Sequence, residues 1–282
     1  MAGSVDLGWF SVNKADLSDA RNETFSTDTY FSGEYVDGYV VAQRSDGDVV
    51  VLTPYGSYWG SQTIIQSAAA AEGQANFQTL YDMALQYNST GLDRLFAVGW
   101  TYNGTITGSA YGGTNYLYEI VFPAGRDHYI SELRALAGLP DGEEMVCLTI
   151  SDNGTFYGIS TSGTLWTIDP DTGLCTRIRI ITEFTSLTGF SGVNVIQSMA
   201  YDHEQDVIYW AAHSQTPNGY SYSHLCRILK IDTSDPDCPA EIVGTLGHSG
   251  ASALFVPTQL DSDLFGLSNQ PTGFSVSPAS VT

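Results

Sequence analysis

Lysine is almost missing from this chain. Its 282 residues hold 10 Lys and Arg against 31 Asp and Glu, a formal net charge of −21 at pH 7. A surface of that sign repels phosphate backbones and anionic lipid, so nucleic acid is not an expected partner. The acidic excess serves solubility or supplies cation sites. Charge of either sign is sparse at 15%, whereas hydrophobic residues reach 43%. Such a chain can bury a sizeable core and is not disordered. No apolar run approaches the about 18 residues that a membrane-spanning helix needs. The opening MAGSVDLGWF has neither a basic segment nor a long apolar stretch, so it does not read as a signal peptide. The expectation is either an intracellular protein or a mature chain with a substituted start, and the small Met-Ala-Gly leader favours the second.

Chemical motifs are also scarce. The cysteines are Cys147, Cys175, Cys226 and Cys238, none in a C-x-x-C pair and none with a histidine spacing suited to zinc. Cys226 and Cys238 could meet across a hairpin, and Cys147 reads as a small core residue, but no disulfide framework is evident. The histidines, His128, His203, His213, His224 and His248, form neither H-x-x-x-H nor H-E-x-x-H. There is no G-x-S-x-G elbow and no G-x-x-x-x-G-K-[ST] phosphate loop.

What the chain does have is a repeat. TLWTIDPDTG (164–173) alternates as a strand and then turns. YLYEIVFPAG (116–125), RILKIDTSDP (227–236), DVVVLTPYG (48–56) and GWFSVNKADL (8–17) follow the same plan. Upstream of four copies lies a run rich in β-branched and aromatic residues: GTFYGIS (154–160), DVIYWAA (206–212), DRLFAVGW (93–100) and DGYVVAQ (37–43). SDLFGLS (262–268) stands alone near the C-terminus. One step further upstream come the least charged runs, TYFSGEY (29–35), QTLYDMALQYN (78–88), EEMVCLTIS (143–151), IQSMAYD (196–202) and GASALFVP (250–257), which should lie deepest. A fourth strand follows three copies: QTIIQSA (62–68), CTRIRII (175–181) and AEIVGTLG (240–247).

Four antiparallel strands repeated in this way are the blades of an all-β propeller, because one such sheet buries both faces only by stacking on neighbours. The copy divided between residues 250–268 and 8–26 suggests ring closure by a blade shared between the two chain ends. The expectation is therefore five four-stranded blades over residues 6–268. Six blades would follow if a degenerate unit lay within 53–82, and an irregular β-sandwich is the competing fold. Residues 269–282 read as a linker and one further strand.

That last stretch, GFSVSPASVT, resembles the opening strand of bacterial group 2 immunoglobulin-like domains. The IDPDTG phrase is similar to the blades of bacterial secreted propellers of the quinoprotein and surface-layer type. The resemblance implies a secreted or cell-surface bacterial protein that continues into immunoglobulin-like domains. It implies fold more than function. Residues that hold a quinone are not found here, so no cofactor is carried over.

Most acids sit in turn phrases: Asp46, Asp48, Asp152, Asp169, Asp171, Asp232 and Asp235. Asp favours turns because its side chain bonds the local backbone. DPDTG and DTSDPD could instead hold Ca²⁺, although neither has the spacing of a known calcium loop. Asn22, Asn88, Asn103 and Asn153 head N-x-[ST] triplets, which matter only in a eukaryotic secretory route. His203, in YDHEQD, reads as a solvated turn residue.

Loop asymmetry is the clearest functional signal. The connections TYNGTITGSAYGGTNY (101–116) and HSQTPNGYSYSH (213–224) are long and leave one face of the ring, whereas TSG does the same task in a third unit. The crossovers 69–82 and 182–195 add to that face, the first reading as a short helix. Tyr102, Tyr111, Tyr116, His213, Tyr220 and Tyr222 are the candidate ligand-binding residues, because tyrosine gives wide, stiff contact area with a polar tip. Trp59, in YGSYWG, belongs to a connection on the opposite face. Three functions compete. A non-catalytic module would bind a glycan or a protein. A glycoside hydrolase or lyase would use carboxylates near the channel, for which Glu34, Glu143, Glu144 and Asp202 are nearest. A structural spacer would use neither face. A monomer is expected in each case.

Overall fold

TLWTI forms a strand, and DPDTG forms the turn that ends it. The Asp169 carboxylate accepts hydrogen bonds from the amides of Asp171 (2.9 Å) and Thr172 (3.3 Å). The turn closes at Gly173, whose φ of +77° suits glycine. A Cβ there would meet the Ala135 carbonyl oxygen at 2.4 Å. The computed structural model describes residues 8–13, 16–25, 30–36, 38–55, 58–67, 78–87, 93–102, 113–123, 126–185, 197–213, 226–245 and 251–256.

These residues build four antiparallel four-stranded sheets and one hairpin. The hairpin is β1 (Gly8–Asn13) with β2 (Asp16–Phe25). The first blade holds β3 (Tyr30–Val36), β4 (Tyr39–Arg44), β5 (Val49–Tyr55) and β6 (Tyr58–Ile65). The second holds β7 (Gln78–Gln86), β8 (Arg94–Tyr102), β9 (Gly113–Val121) and β10 (Tyr129–Ala135). The third holds β11 (Met145–Ile150), β12 (Phe156–Ser160), β13 (Thr164–Ile168) and β14 (Cys175–Ile180), followed by the short helix α1 (Thr182–Thr185). The fourth holds β15 (Ser198–Asp202), β16 (Val207–His213), β17 (Cys226–Asp232) and β18 (Ala240–Thr245). In each blade the strands neighbour one another in chain order.

Burial falls from the axis to the rim. Every residue of β11, β12, β15 and β16 is buried, while β10, β14 and β18 are largely exposed. Inner strands have neighbours on both faces and therefore read as continuous apolar runs. β7 packs between β3 and β11, and β11 packs against β15. The apolar clusters lie between blades. Val36, Val41 and Val49 join Met83, Leu95 and Tyr118. Phe96 and Leu117 join Leu148 and Trp166, with Phe96 edge-on to Phe156 at 4.9 Å. Cys147 and Ile159 join Met199 and the fully buried Trp210, whose indole donates to Gln197.

The described residues thus hold four complete blades rather than five. The fifth unit is represented by two pieces. One is the hairpin β1–β2, whose second strand lies against β18. The other is the segment 251–256, which carries no strand pairing yet fills the space between the fourth and first blades. Ala251, Leu254 and Val256 pack on Val207, Tyr209 and Ile228. Phe255 packs on the first-blade cluster of Val40, Ala42, Val50 and Leu52 and stacks on Tyr35 at 5.6 Å. The Ser252 hydroxyl donates to the Tyr30 carbonyl and the Leu254 amide to the Ser198 hydroxyl. SDLFGLS and the segment 269–282 lie outside the described residues.

Three local expectations are corrected. Trp59 falls inside β6 rather than in a connection, because Tyr55 and Tyr58 pair directly across the turn. The end of the expected helical crossover, residues 78–82, is the start of β7. The second blade also has a fourth strand, β10, which escapes notice because YISELRA is charged and exposed. All four cysteines are free and buried. Cys226 opens β17, whereas Cys238 lies in the turn beyond its far end, so the two do not meet across the hairpin.

Candidate functional site

The innermost strands run in the same sense around the axis, so acids at equivalent positions converge. Asp82, in β7, is fully buried at the centre. One oxygen accepts from the Leu148 and Met199 amides, both at 3.0 Å. The other accepts from the Ser198 hydroxyl (2.6 Å) and the Met83 amide (3.2 Å). One carboxyl thereby ties the second, third and fourth blades, and Ser198 extends the tie to Leu254. Burial pushes the Asp82 carboxyl well above the usual range, against the opposing pull of Ser198, Leu148 and Met199. A register shift between Leu80 and Asp82 breaks the strict alternation of β7 at this point.

Beyond Asp82 the axis opens into a cavity of about 20 Å³. It lies at the C-terminal ends of the inner strands. All five inner segments line it, through Glu34, Tyr35, Tyr87, Thr149, Tyr201, His203 and Val256 among others. That volume accommodates one water-sized group. Glu34 keeps some area toward this cavity, although protein surrounds it. Burial raises its pKa to about 8, opposed by hydrogen bonds from the Tyr35 amide (2.7 Å) and the Leu85 amide. His203 stands between Tyr87 and Tyr201, with ring centroids at 5.0 Å and near-perpendicular planes in both pairs. Its Nδ1 pairs with the Asp152 carboxylate of the neighbouring blade. His203 is therefore a packed and partnered residue rather than a solvated turn tip. The Tyr201 hydroxyl donates to Asp206.

The acids expected near the channel are divided between its two ends. Glu34 and Asp202 end β3 and β15, while Glu143 and Glu144 precede β11 at the opposite end. Asp202 is occupied by its own turn, accepting from the Glu204 (3.0 Å) and Gln205 (3.3 Å) amides. Glu143 accepts from the hydroxyls of Ser160 (2.6 Å) and Ser162 (2.8 Å). Glu144 is pushed up to about 7 by burial. Glu34 is the one acid among the residues that line the axial cavity. The turn acids are equally engaged: Asp232 accepts from the Ser234 amide and hydroxyl, which favours turn chemistry over a calcium loop. An open groove of about 460 Å³ runs along the rim of the fourth blade past Asp206, Lys230, Asp232 and Glu241. Among the described residues no group of three or more His, Cys, Asp or Glu is placed to hold a metal ion.

Of the six residues expected to bind a ligand, Tyr111, Tyr220 and Tyr222 lie outside the described residues. Tyr102 ends β8, paired with Gly113. Tyr116 is half-buried, packs on the cluster between the first and second blades, and sits 5.8 Å from Tyr118. His213 is buried at the end of β16, two blades away from Tyr116. Tyr116 and His213 therefore belong to the scaffold on which the two long connections are mounted. The Tyr35, Tyr87 and Tyr201 set was missed, although a signal for it exists: each falls at the C-terminal end of an inner strand in the repeat.

No protein-family model matches the chain, and no curated protein is significantly similar to it. Among solved structures, it is similar to a protein of unknown function from Bacteroides thetaiotaomicron, at 13% identity and a TM-score of 0.47 over 77% of this chain and 44% of that one. It is similar to a luciferin-regenerating enzyme at 14% identity and a TM-score of 0.39, over 79% of this chain and 64% of that one. It is also similar to the WD40 repeats of RRP9 at 11% identity and a TM-score of 0.44, over 88% and 89%. The chain spans less than two thirds of the length of the first two. No described helix is long and apolar enough to cross a membrane. The four sheets, their order and the clusters packed between them define the chain as an all-β propeller.

Proposed function

We propose that this chain is a non-catalytic binding module that holds a glycan or a protein surface on the face from which the β8–β9 and β16–β17 connections leave. The observation that carries this reading is the filling of the axis. The central space beside Glu34 has room for one water-sized group, and Asp82, Glu143 and Asp202 are spent on amides and hydroxyls. A glycosidase needs two carboxylates on opposite sides of a sugar, about 5 to 10 Å apart. The two connections, rich in Tyr, Gly, Ser and Asn, suit adaptable contact with a polar surface.

We infer a fifth unit, the copy divided in the sequence between residues 250–268 and 8–26 and shared by the two chain ends. Its support is the seating of 251–256 between the fourth and first blades and the place of β2 beside β18. The protein is bacterial and acts at the cell surface or beyond it, with an immunoglobulin-like domain beginning near residue 274. That part rests on the resemblance of GFSVSPASVT and IDPDTG alone.

A glycan array probed with the wild type, Tyr111→Ala and Tyr222→Ala tests the binding reading. Binding to a defined glycan class, weakened at least tenfold by either substitution, is expected. Absence of any glycan or protein ligand, or binding indifferent to both changes, overturns it. Release of reducing ends from a polysaccharide would establish the enzymatic alternative instead.

A further inference from the structure

Charges buried in proteins are paired, or else they take up a proton. The axis of this ring contains two acids and an imbalance between them. Asp82 is satisfied by four donors. Glu34 receives two backbone amides, and no arginine or lysine is among the groups that act on it. None lines the cavity either. The two carboxyls repel each other. Around Glu34 stand the Thr149 hydroxyl, Tyr35, Tyr87, Tyr201 and His203, the last already paired with Asp152.

We propose that this axial pocket receives one primary ammonium group, carried by a free alkylamine or by a lysine side chain, as the counter-ion of Glu34. An ammonium group has three donors and no acceptor. Glu34 and Thr149 line the cavity as residues with acceptor oxygens, and the rings of Tyr35, Tyr87 and Tyr201 beside them attract cations. The cavity of about 20 Å³ matches a group the size of water and is too small for guanidinium or a quaternary ammonium. A divalent metal ion lacks its usual set of three protein ligands here. The net charge of −21 concentrates cations at the surface. This pocket lies at the opposite end of the ring from the long connections, so it is independent of the loop face.

The groups facing Glu34 set the pH behaviour. They are Tyr35 from β3, Asp82 and Tyr87 from β7 and the residue after it, Tyr201 from β15, and His203 from the turn after it. Asp93 and Asp152 act on the same pocket through Tyr87. With the Glu34 carboxyl held near 8 by burial, that carboxyl is protonated at pH 6 in the empty pocket, and a bound ammonium expels the proton. Apparent affinity therefore rises by tens of fold between about pH 6 and pH 8.5.

The test is titration calorimetry of the full chain at constant ionic strength, in two buffers of different ionisation enthalpy. The probes are butylammonium, a lysine-containing pentapeptide, the same peptide with acetyl-lysine, and tetramethylammonium. Saturable binding of butylammonium or the lysine peptide is expected, with a proton released, at least tenfold weaker near pH 6. Acetylated peptide and tetramethylammonium should not bind. Preference for the lysine peptide names a side chain as the ligand, and preference for butylammonium names a free amine. Glu34→Gln should abolish binding while keeping its fold, because the amide oxygen still accepts from Tyr35. Tyr111→Ala and Tyr222→Ala should leave it unchanged. Failure of both amines to saturate, equal binding of tetramethylammonium, absence of proton release in the wild type, or full binding by Glu34→Gln overturns the proposal.

Discussion

Asp82 and Glu34 occupy inner strands of neighbouring blades, and each is an acid facing the axis, yet they do different work. Asp82 has its four acceptor positions filled, three by amides and one by a hydroxyl, from two neighbouring blades and its own strand. Glu34 has two amides and a cavity. The first is a rivet. The second is an unfinished interaction. The contrast teaches that burial alone does not mark a functional acid; the count of donors left over does.

The sharpest way to break this comparison is Asp82→Ala. It strands the Leu148 and Met199 amides and the Ser198 hydroxyl at the centre. A loss of about 3–5 kcal/mol is expected in urea unfolding, as for three buried donors left without their shared acceptor. A loss below about 1 kcal/mol would show that the blades hold without the rivet.

Glu34→Gln should behave in the opposite way. Its folded pKa is raised from 4.5 to about 8, so the folded state favours the protonated acid. The associated stability is fully present below about pH 4.5 and is lost as pH rises toward 8. The wild type should lose on the order of 2–4 kcal/mol across that window relative to Glu34→Gln, which lacks this one contribution. Urea midpoints of both proteins at about pH 5 and pH 9 decide it, with the variant the more stable at the higher pH.

The rivet can be sharpened against a side-chain bridge nearer the rim. Asn115 accepts from the Met145 amide at 2.8 Å and donates to the Met145 carbonyl at 3.2 Å, joining the second blade to the third. Asn115→Ala should cost about 1–3 kcal/mol, less than Asp82→Ala, because it strands groups of one neighbouring blade rather than two. The smallest effect should come from Asp152→Asn. Asp152 is 54% exposed, so its pairing with His203 contributes below about 1 kcal/mol despite lying beside the pocket.

Much of this architecture is legible in the residues. The inner strands are the least charged runs, and TLWTIDPDTG marks a strand, a turn and a blade position at once. The rim is less legible. YISELRA carries charge on both faces of β10, because an outermost strand packs on little. The pocket is the least legible part. Glu34, Tyr87 and His203 come from three blades, and only stacking brings them together. Asp82 interrupts the apolar run LYDMAL in a way that composition reads as a surface residue. The proposed binding face rests on 103–112 and 214–225, which lie outside the described residues.

The seating of 251–256 has a consequence for how the protein is made. Ser252 meets Tyr30 across 222 positions of chain. During synthesis every complete blade emerges before the segment that locks the last onto the first. Until then, the flanks of β16 and β4 lack their cover, with Val207, Tyr209 and Val40 facing solvent. Contacts this distant in sequence slow folding. The growing chain must therefore wait, open on one side, for its latch, and that interval is when it is most prone to associate with a neighbour in the same state.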